Sequence, residues 1–283
     1  MPLLARRFTC YSRSLWVAGF LLAVLFCGKT LHAQGNAQSN GSTGAPLVLS
    51  RSPGRIEQGA RTWSIFTEYS PSSSKIFLGY TRDREFVALG ASFTQRLVHH
   101  RIWSLDYRAE IRPLMVESDP VIRGGDYNYN LPPIFPVPHQ QGSYRYAHEV
   151  PVVSIGPKNV SYTFTYQGQN YSEVSDTYYG RRWTYVGGLS PAGLQARLLP
   201  HSRIQPVFTL MTGFAVSPRD IPMFDSSAFN FTFSFGTGLD IFSTPTHAVR
   251  LEYRLHHLSN AYTGATNPGI DSQMVQIGYS WSK

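Results

Sequence analysis

Two segments near the C-terminus alternate between apolar and polar residues, and no helix can satisfy that pattern. From Val249 the odd positions read Val249, Leu251, Tyr253, Leu255, His257 and Ser259, and between them lie Arg250, Glu252, Arg254 and His256. A period of two sends the two sets to opposite faces of a strand. The closing segment repeats the pattern, with Val275, Ile277, Tyr279 and Trp281 on one face and Ser272, Gln276, Gly278 and Ser280 on the other; Asp271 is in phase with the apolar set. If the two strands form a hairpin with His257 opposite Asp271, then Tyr253 meets Val275 and Leu251 meets Ile277. The apolar faces then coincide, as a half-buried register requires. The connection contains Asn267-Pro268-Gly269, which suits a hairpin loop.

Two further runs extend the pattern. Trp103, Leu105, Tyr107, Ala109 and Ile111 alternate with Ser104, Asp106, Arg108, Glu110 and Arg112, and Phe229, Phe231, Phe233, Phe235, Leu239 and Ile241 alternate with Asn230, Thr232, Ser234, Gly236 and Asp240. Each is about as long as a tilted strand that crosses a bilayer. Shorter strand candidates are 63–69, 75–82, 85–96, 160–167, 181–188, 193–199 and 204–216. Alternation alone also suits a soluble secreted β-sandwich. Abundant aromatics (17 Phe, 17 Tyr, 5 Trp) beside few charges favour an antiparallel outer-membrane β-barrel, whose strands are apolar outside and polar inside with aromatic girdles. The expected strand count is eight, with twelve as the upper bound. The stretch 113–151, rich in Pro, Tyr and Gly, reads as a long surface loop.

The N-terminus reads as a cleaved secretory signal. Arg6, Arg7 and Arg13 precede the apolar run Leu15 to Cys27, and Leu31-His32-Ala33 offers a small residue at the cut. The apolar run is short for a membrane anchor, and the bulky Phe26 before Cys27 argues against a lipoprotein. The expected division is therefore a signal peptide over 1–33, a flexible leader rich in Gly, Ser, Asn and Gln over 34–60, and a transmembrane barrel over 61–283. Both cysteines lie in the signal, so the mature chain has neither a disulfide framework nor a thiol nucleophile. Basic residues leave with the signal too. The mature protein is then only mildly basic, which gives no reason to expect a nucleic-acid partner. The sequence contains no nucleotide-binding glycine loop, cysteine zinc pattern or calcium-loop spacing, so no cofactor or metal is expected.

The polar residues on the apolar face of the last hairpin need a reason to be there. His257 and Ser259, two apart on a strand, project from one face with Cα atoms roughly 6.5–7 Å apart. There His257 is placed to take the Ser259 proton as general base. Asp271, across the hairpin, is placed to hold the other imidazole nitrogen. Asn260 and Asn267 are candidate donors to a developing oxyanion. Taken singly, each of these is more simply a polar residue at a loop edge; three in phase beside two asparagines favour catalysis. Barrels usually have an even strand number, short periplasmic turns and long outer loops. With both termini periplasmic, the last hairpin loop lies outside, and the site faces lipid at the outer leaflet. His256 points the other way and reads as part of an interior network with Arg254 and Glu252. His99 and His100 read as loop residues.

At these positions the chain resembles the lipid A 3-O-deacylase (PagL) family, whose His-x-Ser-Asn motif and acidic residue fourteen positions after the His match His257, Ser259, Asn260 and Asp271. The resemblance covers about residues 248–281. It implies an eight-stranded barrel in the outer membrane of a Gram-negative cell, lipid A or lipopolysaccharide as substrate, and hydrolysis of the 3-O ester. It also implies Ser259 as nucleophile, His257 as base, Asp271 as the acidic member and Asn267 near the oxyanion. Asp271 stands where the family has Glu, and the mature chain is longer than typical members. Two alternatives remain. Outer-membrane phospholipase A carries a similar His-x-Ser-Asn run, but with Asn as third member, a mid-chain motif and a calcium requirement. A non-enzymatic barrel, either channel or structural protein, would also carry a polar inner face.

Overall fold

The computed structural model describes residues 60–282; the expected signal peptide and the leader up to residue 59 lie outside the described residues. Within them the chain forms strands and no helix. In chain order these are β1 (Arg61–Ser70), β2 (Glu85–His99), β3 (Trp103–Asn130), β4 (Gln141–Tyr146), β5 (Val150–Pro151), β6 (Asn159–Tyr166), β7 (Gln169–Leu198), β8 (Ile204–Ile221), β9 (Ser227–Thr244), β10 (His247–Ser259) and β11 (Ile270–Ser282).

Eight of them close into an antiparallel ring in the order β1-β2-β3-β7-β8-β9-β10-β11, with β11 returning to β1. Within the ring, closure leaves no free edge, the one sheet arrangement that satisfies backbone groups in hydrocarbon. It also excludes the two-sheet sandwich. The ring has two unlike ends. At one end are the chain's β1 start and β11 end, with short turns at 100–102, 199–203 and 245–246. At the other are the β1–β2 loop (71–84), the whole β3–β7 excursion, 222–226 and the β10–β11 loop (260–269). Short periplasmic turns and long outer loops are the usual arrangement, so the second end is the outer one.

Alternation sorts the side chains as the sequence implies. Outside are Trp63, Ile65, Ile111, Leu210, Phe231, Phe233, Val249 and Ile277, all exposed. Inside, the lumen is filled by charge. Arg254 donates to Glu110 (2.7 and 3.0 Å), Glu252 (2.9 Å) and Gln276 (2.8 Å). Arg112 donates to Glu68 at 2.7 and 3.1 Å and to Glu110 at 2.6 Å. Nearer the periplasmic end Arg250 grips Asp240 through two 2.7 Å bonds, and Arg197 joins Asp240 at 2.8 Å. Towards the outer end the filling turns apolar: Phe86, Met115, Val186, Ile221, Leu258 and Ile270 pack together, fully buried. Leu258 lies between His257 and Ser259 in sequence, so the hairpin that carries them is anchored from within.

Three sequence-based boundaries move. Residues 75–82, read as a strand, are loop, with isolated bridges only at Ser73 and Thr81. The candidates 181–188 and 193–199 are one continuous strand, β7. Residues 113–151, read as loop, contain the second half of β3, then β4 and β5. β3 survives Pro113 because its register slips between Arg112 and Met115, and a bulge is where a strand tolerates a residue without an N–H.

Arg254 is the test of the lumen. Arg254→Ala leaves Glu110, Glu252 and Glu68 without their shared cation, which should lower the unfolding free energy by about 3–5 kcal/mol. Urea unfolding in detergent micelles, followed by tryptophan fluorescence, measures this. A loss below about 1 kcal/mol, the range of an exposed pair, would show that the network contributes little.

Candidate active site on the last hairpin

The hairpin register is the one the alternation dictates. His257 is paired with Asp271, Tyr253 with Val275 and Leu251 with Ile277. Directly opposed residues have neighbouring Cβ atoms, so a short carboxylate can reach the imidazole. His257 Nδ1 lies 2.6 Å from Asp271 Oδ1. The second carboxylate oxygen, Oδ2, accepts three backbone N–H groups from the β1–β2 loop: Ile76 at 3.0 Å, Phe77 at 2.6 Å and Gly79 at 3.1 Å. Asp271 is buried at 1% exposure. Its charge is thus matched by donors on both oxygens, and its orientation is fixed.

Glycine is required at two points of this cradle. At Gly79 a Cβ would stand 2.6 Å from the Asp271 backbone nitrogen. Gly269, at φ +57°, turns the chain into β11, and a Cβ there would press on His257 at 3.3 Å. The loop is tied down further by Tyr80 N–H to Pro268 O at 3.0 Å and by the Thr81 hydroxyl donating to Gly269 O.

Ser259 lies on the same outer face as His257, beside Phe231 of β9, while His257 lies beside Phe233. Ser259 makes no hydrogen bond to His257 in this structure; apo hydrogen bonds of this kind often tighten only when substrate is bound. The two asparagines differ. The Asn260 side chain is spent on its own loop, donating to Thr266 O at 2.7 Å and accepting from Tyr262 N–H at 2.9 Å. Asn267 accepts the Asn260 backbone N–H at 3.1 Å through its oxygen, and its amide nitrogen has no protein partner among the described residues. His256 points into the lumen and is buried.

The β1–β2 loop amides were not foreseen from the sequence. A backbone donor has no residue signature; the one visible clue is Gly79 after the apolar triplet Ile76-Phe77-Leu78, a residue type that permits close backbone approach. No cluster of His, Cys, Asp and Glu suited to a metal occurs among the described residues.

A closed eight-stranded barrel that is apolar outside defines an integral outer-membrane protein, and the partly exposed His257 beside buried Asp271 is its candidate active site. The family model described as lipid A 3-O-deacylase (PagL) matches residues 142–280, which span the hairpin and bear out the resemblance read from its motif. The match supports a lipid A deacylase, and lipid A as its substrate class, in an outer-membrane barrel. No curated protein matches the chain significantly. Among solved structures, Ail of Yersinia pestis aligns at 9% identity over 80% of this chain and 100% of its own, TM-score 0.35. The Neisserial surface protein NspA aligns at 10% identity over 79% and 99%, TM-score 0.36. OprG of Pseudomonas aeruginosa aligns at 10% identity over 82% and 99%, TM-score 0.38. Superposition at that level adds nothing to the ring already traced.

The contacts around Asp271 make the β1–β2 loop testable on its own. Asp271→Ala removes three N–H to carboxylate bonds and should free the loop. Trypsin cleavage after exposed Lys75 should then rise about tenfold or more, with the barrel intact. Unchanged cleavage would mean that the carboxylate does not hold the loop.

Proposed function

We propose that the protein hydrolyses the 3-O-linked acyl ester of lipid A, with Ser259 as nucleophile, His257 as base and Asp271 as the group that orients and charge-compensates the imidazole. The observation that carries this reading is the 2.6 Å contact between His257 and Asp271 on the lipid-facing wall, where uncompensated polar groups are costly and where Ser259 shares the face.

The chemistry follows from the positions. Ser259 Oγ attacks the ester carbonyl carbon while its proton passes to His257 Nε2. The imidazolium so formed keeps its Nδ1–H on Asp271 Oδ1. Negative charge collects on the former carbonyl oxygen, towards which the free Asn267 amide is the better placed of the two asparagines. Asn260 acts through it, because its backbone N–H fixes the Asn267 oxygen. As the intermediate collapses, the sugar oxygen leaves with the proton from His257, and water then releases the fatty acid from Ser259 by the same steps. The Phe229, Phe231, Phe233 and Phe235 ladder on β9 runs beside Ser259, so an acyl chain drawn from the leaflet has an apolar wall to lie on.

Lipid A from cells expressing the wild type should lack one hydroxyacyl chain by mass spectrometry, and lipid A from cells expressing Ser259→Ala should be intact. Unchanged lipid A with folded wild-type protein in the outer membrane would defeat the proposal. Asp271→Asn keeps the shape but loses the charge and should cut kcat by about 10²–10⁴-fold with KM changed little. Activity should also persist in excess EDTA; its loss, with restoration by calcium, would point to the phospholipase alternative.

A further inference from the structure

The two longest strands overshoot the barrel. β2 stops pairing with β3 at Glu85–Ser118, and β8 pairs continuously with β7 only up to Gly187–Val216. β3 and β7 continue, paired with each other, to Asn130–Ser172. From Ser118 to Asn130 that is roughly 40 Å of strand at 3.3 Å per residue, beginning at the outer rim. β4 joins the β3 edge and β6 the β7 edge, so a four-stranded sheet, β4-β3-β7-β6, stands outside the membrane.

Its two faces differ sharply in composition. The registers put Tyr127 and Tyr129 of β3, Tyr144 and Tyr146 of β4, Tyr162, Phe164 and Tyr166 of β6 and Tyr171 of β7 on one side. Tyr127 packs on Tyr144 at 5.2 Å and Phe164 on Tyr171 at 5.8 Å. Tyr144 and Tyr162 are 55% and 65% exposed, and their hydroxyls have no hydrogen-bond partner among the described residues. The other side satisfies itself. Arg145 grips Asp126 at 2.6 and 3.1 Å, Tyr178 donates to Asp126 at 2.5 Å, and Asn159 donates to Asp176 at 2.6 Å. Hydrogen bonds from Arg145 and then Tyr178 hold the Asp126 carboxyl down to about 2, so this pairing persists at any physiological pH.

The aromatic side is continuous with the lipid-facing wall. On β7 the odd residues from Tyr171 lie in phase with Trp183 and Tyr185, which are half-exposed on the barrel exterior. A surface that faces acyl chains at the level of Tyr185 faces, one sheet higher, whatever stands on those chains in the outer leaflet. For lipid A-bearing molecules that is saccharide. The residue choice fits: the barrel exterior mixes Ile65, Leu210, Phe231 and Ile277 with a few Tyr and Trp, whereas seven of the eight rings on the platform carry hydroxyls, suiting a partner with one apolar and one hydrogen-bonding aspect. The C–H faces and hydroxyls of a pyranose offer both. A second copy of the chain fits less well, because a two-fold contact centred on the platform would bring together two copies of Glu173, which lies on this face between Tyr129 and Tyr162.

We infer that the tyrosine face of the β4-β3-β7-β6 sheet is a docking wall for the saccharide portion of lipopolysaccharide, separate from the hydrolytic site. It lies across the ring from β10 and β11, with two strands between them on either side, β8 and β9 one way and β2 and β1 the other. The molecule it holds is therefore a neighbour in the leaflet and not the one being cleaved. The inference rests on the outer-membrane location and not on the assignment of the triad.

The test is titration of the detergent-solubilised full-length protein with delipidated lipopolysaccharide saccharide, read by calorimetry. The wild type and Ser259→Ala should bind alike. The double variant Tyr144→Ala/Tyr162→Ala should bind at least tenfold more weakly, while its barrel folds and its deacylase activity is kept. Tyr144→Phe/Tyr162→Phe, which keeps the stacking rings but loses their hydroxyls, should bind more weakly than the wild type and more tightly than the alanine variant. Failure of the wild type to bind saccharide would overturn the inference, as would equal binding by the alanine variant. A concentration-dependent dimer that the alanine variant abolishes would overturn it in favour of self-association.

Discussion

Charge that must face inward fixes this structure. Arg250, Glu252 and Arg254 alternate with Val249, Leu251 and Tyr253. A slip of one residue in the β10 register would turn the first set into lipid and the second into a lumen built of carboxylates and guanidinium groups. In the observed register Arg254 reaches Glu110 on β3 across the barrel, as well as Glu252 beside it. Pairings of this kind tie opposite walls of the ring together. Buried ion pairs are weak evidence for stability in themselves; here their effect is to make every alternative register expensive. The same register puts His257 opposite Asp271. The geometry of the site is thus a by-product of the lumen's electrostatics.

That dependence explains why so much was legible in the sequence. Alternation is a property of side chains, so the strand faces, the hairpin pairing and the outward set of His257, Ser259 and Asp271 could all be read from residue types. What could not be read was the part of the site built from backbone. Residues 75–82 look like a strand because Ile76, Phe77 and Leu78 are consecutive and apolar, yet in the fold their amides turn onto Asp271 Oδ2. A peptide N–H is the same in every sequence, so nothing local marks a loop that uses three of them for one carboxylate.

The misreading of 113–151 has a different cause. Pro113 and Pro120 lack the donor a central strand needs, and proline in such a run ordinarily ends it. β3 continues because Pro113 falls at a register slip and Pro120, opposite Arg181, sits beyond the point where β2 has ended. At that height the side of β3 that β2 has left is met only by the short β5 segment, where Val152 N–H donates to Pro120 O at 3.0 Å and strand pairing begins at Val121, so the end of that ladder tolerates a missing N–H. The strand's length and its prolines are therefore two signs of one fact, that β3 leaves the barrel wall before it stops being a strand.

The use of Asp rather than Glu at position 271 belongs to the same economy of geometry. A longer acid can reach a histidine from a less direct position, but it has more rotamers to restrain. Here the cross-strand pair already places the two Cβ atoms side by side, so one methylene suffices for a 2.6 Å contact. The shorter arm also leaves the second oxygen close to the backbone of its own strand, within reach of a loop that passes over Ile270 and Asp271 with only Gly79 between. Lengthening the acid would drive that oxygen into the loop or draw it away from the three amides. The short acid, the glycine above it and the β1–β2 loop form one mutually dependent arrangement, and a change in any of them should be felt at the imidazole.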